Sequence, residues 1–356
     1  MSELARAVAS LVATGRDLEP GRAHAAVAEL IQGNSPDALV AAFLTALRIK
    51  GESAPELAEA VDAIRARAIP FDPGGTRRDS TLLDTCGTGG DGACTVNIST
   101  AAAIVVASCG VRVVKHGNRS ASGNSGSAEV LETLGVAIDL DPAAALQCLD
   151  ELGLCFLFAP RYHPALRALA PVRKALPFRT LFNLIGPLAN PARPSHQLVG
   201  VSGDREADLL AGALARLGTK RAAVVVGSDG LDEVTLGGAT SVRWVRSGRI
   251  ETEIWRPGDF SLPEVHADQL CVAGPVESAN RVEAVFQGEP GPDRSAILAN
   301  AAAALLVVEA VENLAAGVAV ASGAIDSGAT ARLLDRWRRF TAIDQSGTSD
   351  VGQISS

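Results

Sequence analysis

The chain of 356 residues predicts an α/β protein in two parts: a small all-helical N-terminal domain and a larger α/β domain with a mostly parallel central sheet. Three observations carry this. Helical periodicity fills residues 1–68. The segment IPFDPGGTRRDS (Ile69–Ser80), dense in Pro and Gly, then interrupts it. Beyond it, short β-branched runs alternate with helical stretches, the pattern of strands joined by helical crossovers.

Taken in order, Ser35, Pro36 and Asp37 supply an N-cap, an N1 proline and a first-turn acid, and Gly51 closes that helix. Ser53 and Glu56 stand in capping-box spacing, and Leu57, Val61 and Ile64 give the following helix an apolar stripe. Four buried strands are expected: Val111–Lys115, Cys155–Ala159, Gln197–Val201 and Ala222–Val226. SVRWVRSGRIETEIW reads as a hairpin turning at Ser247-Gly248. A helical stretch from Ser295 to Ala342 is expected to break near Gly317 and Gly328. The tail QSGTSDVGQISS has no apolar periodicity and reads as disordered. The expected domains are therefore 1–72, 73–344 and a tail of 345–356, with no internal repeat.

The net charge of −8 gives no general attraction to nucleic acid or an anionic membrane, so any polyanion needs a local site. The six cysteines show neither a CxxC pair nor zinc-ligand spacing, and read as reduced, mostly buried thiols of a cytoplasmic protein. MSELARAVASLVATG lacks the marks of a signal peptide, and no charge-free apolar stretch reaches transmembrane length.

Two segments carry chemistry. In DTCGTGGDGACTVNISTAAAIVVASCG, Gly87, Gly89, Gly90 and Gly92 let backbone approach a ligand closely, and Asn97, Ser99 and Thr100 precede an apolar helix. This arrangement suits an anion on a helix N-terminus, although a flexible turn with an ordinary cap has similar glycines. KHGNRSASGNSGSAEVLETLG follows the next strand and combines Lys115, His116 and Arg119 with serines. Two such loops in succession imply a ligand with more than one phosphate. A third segment, VVVGSDGLDEVTL, places Asp232 and Glu233 side by side in a loop after a strand, a natural site for a hard cation or else an exposed acidic turn.

GTGGDG…NIST, KHGNR with GSAEVLE, and HPA…VRKAL…FNLIGPLANP together resemble anthranilate phosphoribosyltransferases, over a span from about Leu18 to Ile343. The resemblance implies a helical domain hinged to the α/β domain, completed in space by about 164–188. It also implies a homodimer formed through the helical domain, with the active site at the hinge. The implied activity transfers ribose 5-phosphate from phosphoribosyl pyrophosphate to the amine of anthranilate, in tryptophan synthesis, with Mg²⁺, two ions per site. By position, the resemblance assigns to the donor Gly87, Gly90, Asp91, Thr95, Asn97, Ile98, Ser99 and Thr100. It adds Lys115, His116, Gly117, Asn118, Arg119, Ser120, Ala121, Ser122, Gly123 and Ser127. It assigns Gly87, Asn118 and Arg173 to anthranilate, with His116, His163 and Pro187 along its path, and Ser99, Asp232 and Glu233 to metal. No general acid or base is implied.

The chain departs from the family pattern at Gly123 and Asn124, where a serine and a lysine are usual, and at Arg161, Pro177, Val226, Gly238 and Ala239. None of these removes a principal ligand. The rival readings are a pyrimidine nucleoside phosphorylase on the same two-domain plan and a non-catalytic nucleic-acid-binding paralogue. The GTGGDG-x₄-NIST spelling and the acidic pair argue against the first, and the negative charge against the second.

Overall fold

The structure is a computed structural model that describes residues 1–72, 81–89, 92–120 and 125–347. Helices α1 (Glu3–Thr14), α2 (Arg22–Leu30), α3 (Asp37–Lys50) and α4 (Ala54–Arg65) form an N-terminal bundle. The start expected at Ser35 falls one residue later, with Pro36 in the cap position, and Gly51 ends α3 at φ 88°. Glu56 caps α4 as its spacing predicts, accepting the Ser53 N–H at 2.9 Å. The same buried carboxylate accepts the Leu18 N–H at 2.9 Å and pairs with Lys50 at 2.7 Å, tying three segments of the bundle together.

The rest of the chain builds a seven-stranded sheet in the order β3-β2-β1-β4-β5-β6-β7. The strands are β1 (Leu82–Gly87), β2 (Arg112–Gly117), β3 (Leu154–Phe158), β4 (His196–Gly200), β5 (Arg221–Gly227), β6 (Thr240–Arg246) and β7 (Arg249–Trp255). β1 to β5 are parallel, whereas β6 and β7 form the expected hairpin, its turn residues Ser247 and Gly248 at φ 49° and 82°. The four expected strands appear with small shifts at their ends. β1 was not among them, because its apolar part is short and runs directly into the glycine loop. It is nevertheless central: the chain leaves it toward β3 on one side and returns through β4 on the other. The carboxyl ends of β1 and β4 thus flank a topological switch point.

The crossovers are α5 (Ile98–Ser108), α6 (Ser127–Thr133), α7 (Pro142–Leu152), α8 (Ala159–Tyr162), α9 (Ala170–Ala175), α10 (Leu181–Ile185) and α11 (Asp204–Arg216). After the hairpin come α12 (Pro275–Phe286), α13 (Pro292–Val307), α14 (Leu314–Asp326) and α15 (Ala329–Gly347). The break near Gly328 is present, and the other falls at 308–313, between α13 and α14, rather than at Gly317 itself. Gly317 lies inside α14, where a Cβ would come within 2.8 Å of Ala302 Cα on α13, so this glycine serves close helix packing. α15 also runs past Ala342 to Gly347, into the segment expected to be disordered; 348–356 lie outside the described residues. Of the expected linker, 73–80 lie outside them too, while Ile69 donates to Tyr162 O at 2.8 Å and Phe71 stacks edge-on against the Tyr162 ring.

Two apolar cores result. One packs α5, α7 and α12–α15 on the sheet. The other joins α1–α4 to Leu169, Val172 and Phe182, to α11, and to Val199, Val224 and Val245 of the sheet. α11 is therefore shared, with one side on the strands and the other against α4. The six cysteines are free thiols; Cys148 and Cys155 are buried, Cys86, Cys94 and Cys109 half-buried, and Cys271 is exposed. Among the described residues no single helix is long and apolar enough to cross a membrane.

Candidate active site at the switch point

β1 ends at Gly87 and β4 at Gly200, and these two glycines are register partners. Their missing side chains form a notch that holds Asp232. A Cβ on Gly87 would lie 2.5 Å from Asp232 Oδ2, and one on Gly200 would overlap the Asp232 backbone. The glycine loop closes on the acid from above: the Gly89 N–H donates to Asp232 Oδ2 at 2.7 Å. Glu233 reaches the other end of the loop, where its Oε1 accepts the Ser99 N–H in the first turn of α5 at 3.1 Å. The adjacent acids of the β5–β6 connection thus straddle a loop that is remote in sequence.

α5 starts at Asn97, whose side chain does not cap it. Asn97 Oδ1 instead accepts the hydroxyls of Ser125 at 2.6 Å and Ser278 at 2.9 Å, and the Asn97 N–H donates to Ser278 Oγ at 3.0 Å. Ser278 comes from α12, and nothing in its local sequence marks it. With Asn97 turned away, the helix N-terminus is bonded by the Glu233 carboxylate through the Ser99 N–H, in keeping with its affinity for a negative group. Thr100 is buried, and its hydroxyl has no hydrogen-bond partner among the described residues. Ile98 packs its side chain into the core, leaving only its backbone for a ligand. Thr95 forms an isolated antiparallel bridge with Cys271.

Lys115 points from β2 beneath this helix. Its ammonium donates to Thr85 O at 2.6 Å and to Ser99 Oγ at 3.4 Å. Below it lies Asp84, fully buried, which accepts from Asn190 Nδ2 at 2.9 Å and from the His116 N–H at 3.3 Å. Burial pushes the Asp84 carboxyl up to about 6 and pulls the Lys115 ammonium down, each partly offset by the other's charge. Sequence reasoning missed Asp84, whose charge favours the protonated lysine, and Asn190, which holds the Asp84 carboxylate.

Beyond Gly117, Asn118 Oδ1 accepts the Arg119 N–H at 2.8 Å and the Asn118 carbonyl accepts from Ser127 Oγ at 3.3 Å. Arg119 makes a forked pair with Glu132 on α6, at 2.6 and 2.7 Å, so its charge is already matched. The Ser120 N–H donates to Glu129 Oε1 at 3.1 Å. Gly90, Asp91, Ala121, Ser122, Gly123 and Asn124 lie outside the described residues.

The residues expected along an acceptor path divide into two groups. His116 and His163 meet edge to face with ring centroids 5.3 Å apart. Burial drives the first down to about 3, helped by the second ring, and drives His163 down to about 4, so both imidazoles are neutral near pH 7. Pro187 lies in the turn after α10, its carbonyl accepting from the buried Gln197 Nε2 at 2.9 Å. Arg173 stands apart on α9, exposed, with its guanidinium over the Phe182 ring at 5.6 Å. Of the departures, Arg161 pairs with Asp139 at 2.5 Å on the surface and Val226 is buried in the shared core.

Among the described residues no group of three or more His, Cys, Asp or Glu side chains is placed to hold a metal. Two carboxylates and the Ser99 hydroxyl are hard oxygen donors beside a helix N-terminus. This set suits Mg²⁺, which needs few protein ligands when phosphate oxygens and water supply the rest.

Residues 79–331 match the glycosyl transferase family, a/b domain, and residues 7–68 its helical bundle domain. The chain is 45% identical over 336 residues to the anthranilate phosphoribosyltransferase of Symbiobacterium thermophilum, an alignment covering 94% of this chain and 97% of that one. Its fold is similar to the crystal structure of anthranilate phosphoribosyltransferase from Thermus thermophilus, with TM-score 0.87, 38% identity and coverage of 96% and 100%. It is also similar to the Saccharomyces cerevisiae enzyme in complex with PRPP and Mg, with TM-score 0.85, 28% identity and coverage of 96% and 98%.

Proposed function

Because the chain belongs to the anthranilate phosphoribosyltransferase family, we infer that it moves the 5-phosphoribosyl group from phosphoribosyl pyrophosphate to the anthranilate amine, releasing pyrophosphate. The observation that carries this reading is the convergence of Asp232 and Glu233 on the two ends of the glycine loop.

As the C1–O bond of the donor breaks, negative charge builds on the pyrophosphate oxygens and positive charge on the ribose. The N-terminus of α5 and the Lys115 ammonium are preorganised to stabilise the leaving group. Ser99, Asp232 and Glu233 would hold Mg²⁺, two ions per site, which supplies further neutralisation of that charge when bound. In this reading Gly87, Gly90, Asp91, Thr95 and Asn97 to Thr100 would hold the pyrophosphate, and Lys115 to Gly123 with Ser127 would close over the ribose phosphate and pyrophosphate. The acceptor amine is neutral at pH 7 and bonds C1 with its own lone pair, losing a proton to solvent or to pyrophosphate. No protein base is required, in keeping with two neutral histidines beside the path. Those imidazoles leave the positive charge that recognises the acceptor carboxylate to Arg173, assisted by Asn118. Its planar fork fits a carboxylate bidentately. Pro187 and His163 shape the entrance.

The same reading divides the chain into a helical domain of 1–72 completed by 164–188 and an α/β domain of 73–344, paired as a cytoplasmic homodimer through the bundle. Exposed Val12 and Ile49 on the bundle support that pairing. Mixing the protein with phosphoribosyl pyrophosphate, Mg²⁺ and anthranilate while following anthranilate fluorescence tests the reaction. Unchanged fluorescence, together with phosphorolysis of a pyrimidine nucleoside, would replace this reading with the phosphorylase one.

A further inference from the structure

A cavity of about 220 Å³ lies away from the carboxylate notch, where the bundle meets the start of α11. Arg48 and Glu52 at the end of α3, Arg179 and Thr180 ahead of α10, and Ser202, Gly203, Arg205 and Glu206 entering α11 supply its polar wall, and Leu184 and Leu209 its apolar one. Its polar groups are unmatched in two opposite senses. Glu52 is only 8% exposed, and its Oε1 has no hydrogen-bond partner among the described residues. Its other oxygen stands 4.0 Å from the Arg48 guanidinium. Arg179 Nε and Nη2 are buried as well and find no acceptor among the described residues. α11 opens at Gly203 without a side-chain cap, and Glu206 is occupied by the Ser202 hydroxyl at 3.4 Å.

A simple anion would satisfy Arg179 and the helix N-terminus but would set its charge against Glu52. A simple cation would do the reverse. A small ligand bearing both charges answers both groups at once. We propose that this cavity binds a free α-amino acid. The carboxylate sits on the Arg179 guanidinium and the N-terminus of α11, the ammonium on Glu52 Oε1, and an apolar side chain lies against Leu184 and Leu209. The ligand would act as an effector, because the cavity wall continues along the chain into two parts of the active site. Thr180 opens α10, which leads into the turn carrying Pro187, and Ser202 follows Gly200, against which the Asp232 backbone packs.

Calorimetry on the full-length protein with a panel of the common L-amino acids tests the proposal, with the N-acetyl and the amide derivative of each binder as ligand-side controls. A free amino acid with an apolar side chain should bind, and blocking either its ammonium or its carboxylate should weaken binding about tenfold or more. Glu52→Gln should reproduce the loss caused by N-acetylation while leaving the KM for donor and acceptor unchanged in the absence of the amino acid. Should that variant fail to fold, the two ligand derivatives carry the test on unaltered protein. The proposal is overturned if no amino acid binds, if the blocked derivatives bind equally well, or if inorganic phosphate or anthranilate alone occupies the cavity.

Discussion

Gly87→Ala is the sharpest probe of the carboxylate notch. The added methyl would lie 2.5 Å from Asp232 Oδ2 and 3.0 Å from its Cγ. The carboxylate must retreat by about 1 Å to reach ordinary contact distance. That retreat breaks the 2.7 Å bond from the Gly89 N–H, a charge-assisted hydrogen bond worth about 1.5–3 kcal/mol. It also spoils the placement of a Mg²⁺ ligand, for an ion that tolerates little deviation from a metal–oxygen distance of about 2.0–2.1 Å. The expected result is a rise in the Mg²⁺ concentration for half-maximal activity of roughly tenfold to a hundredfold. The donor KM should rise with it, since donor and metal bind with reciprocal coupling. Asp232→Asn with Glu233→Gln should shift the metal dependence at least as far. Initial rates titrated with Mg²⁺ at fixed saturating anthranilate measure the effect. A Gly87→Ala enzyme with wild-type metal dependence would refute the notch as a metal site.

Arg173→Ala should raise the KM for anthranilate roughly tenfold or more, through loss of a charge-assisted pair, with the donor KM little changed; equal KM values in wild type and variant would sink that role. Lys115→Met should destabilise the fold by about 1–3 kcal/mol, by leaving the Thr85 carbonyl without its donor and removing the charge that offsets Asp84's burial, and the further change Asp84→Asn should restore part of it, as read from urea midpoints. The buried histidines set an acid limit. Their folded values of about 3 and about 4 lie below the unfolded value of about 6.5, so the unfolded state binds more protons, and stability present above pH 6.5 is lost as pH falls toward 4. Each contributes a slope of about 1.4 kcal/mol per pH unit. Asp84, raised from 3.8 to about 6, acts in the opposite sense between those values and cancels part of that slope. His163→Gln should therefore flatten the fall of Tm between pH 6.5 and 4, and an unchanged profile would mean that this ring is protonated in the folded state.

Much of this was legible in the sequence because local chemistry is written locally. The Ser53–Glu56 cap, the Ser247-Gly248 turn and the four β-branched strands each follow from residues within a few positions of one another. β1 escaped because a strand that ends in a glycine loop shows little of its period. Gly317 misled because glycine has two uses, breaking a helix and letting two helices touch, and only the neighbour, Ala302, distinguishes them. At the site, the glycine loop, Lys115 and the acidic pair were visible as residue types. Their meeting was not, since it depends on Gly87 and Gly200 becoming partners across two strands. Asp84 and Asn190 lie inside the motif-bearing segments without a role that their types announce, and Ser278 lies in none; their roles arise from fold-level proximity.

The position of α11 between the bundle and the sheet also bears on how the chain is made. Helices α1–α4 leave the ribosome first, yet the apolar cluster that holds them includes Leu210 and Leu214 of α11, Val224 of β5 and Val245 of β6. Synthesis proceeds at about 5–20 residues per second, so the nascent bundle waits roughly ten seconds or more before those partners exist. During that interval Leu57, Val61 and their neighbours have only part of their final packing. A fragment ending before α11 would keep that surface permanently exposed and would be expected to aggregate or to recruit chaperones, whereas one ending after β6 would cover it. In this protein the N-terminal bundle is completed by the sheet it precedes.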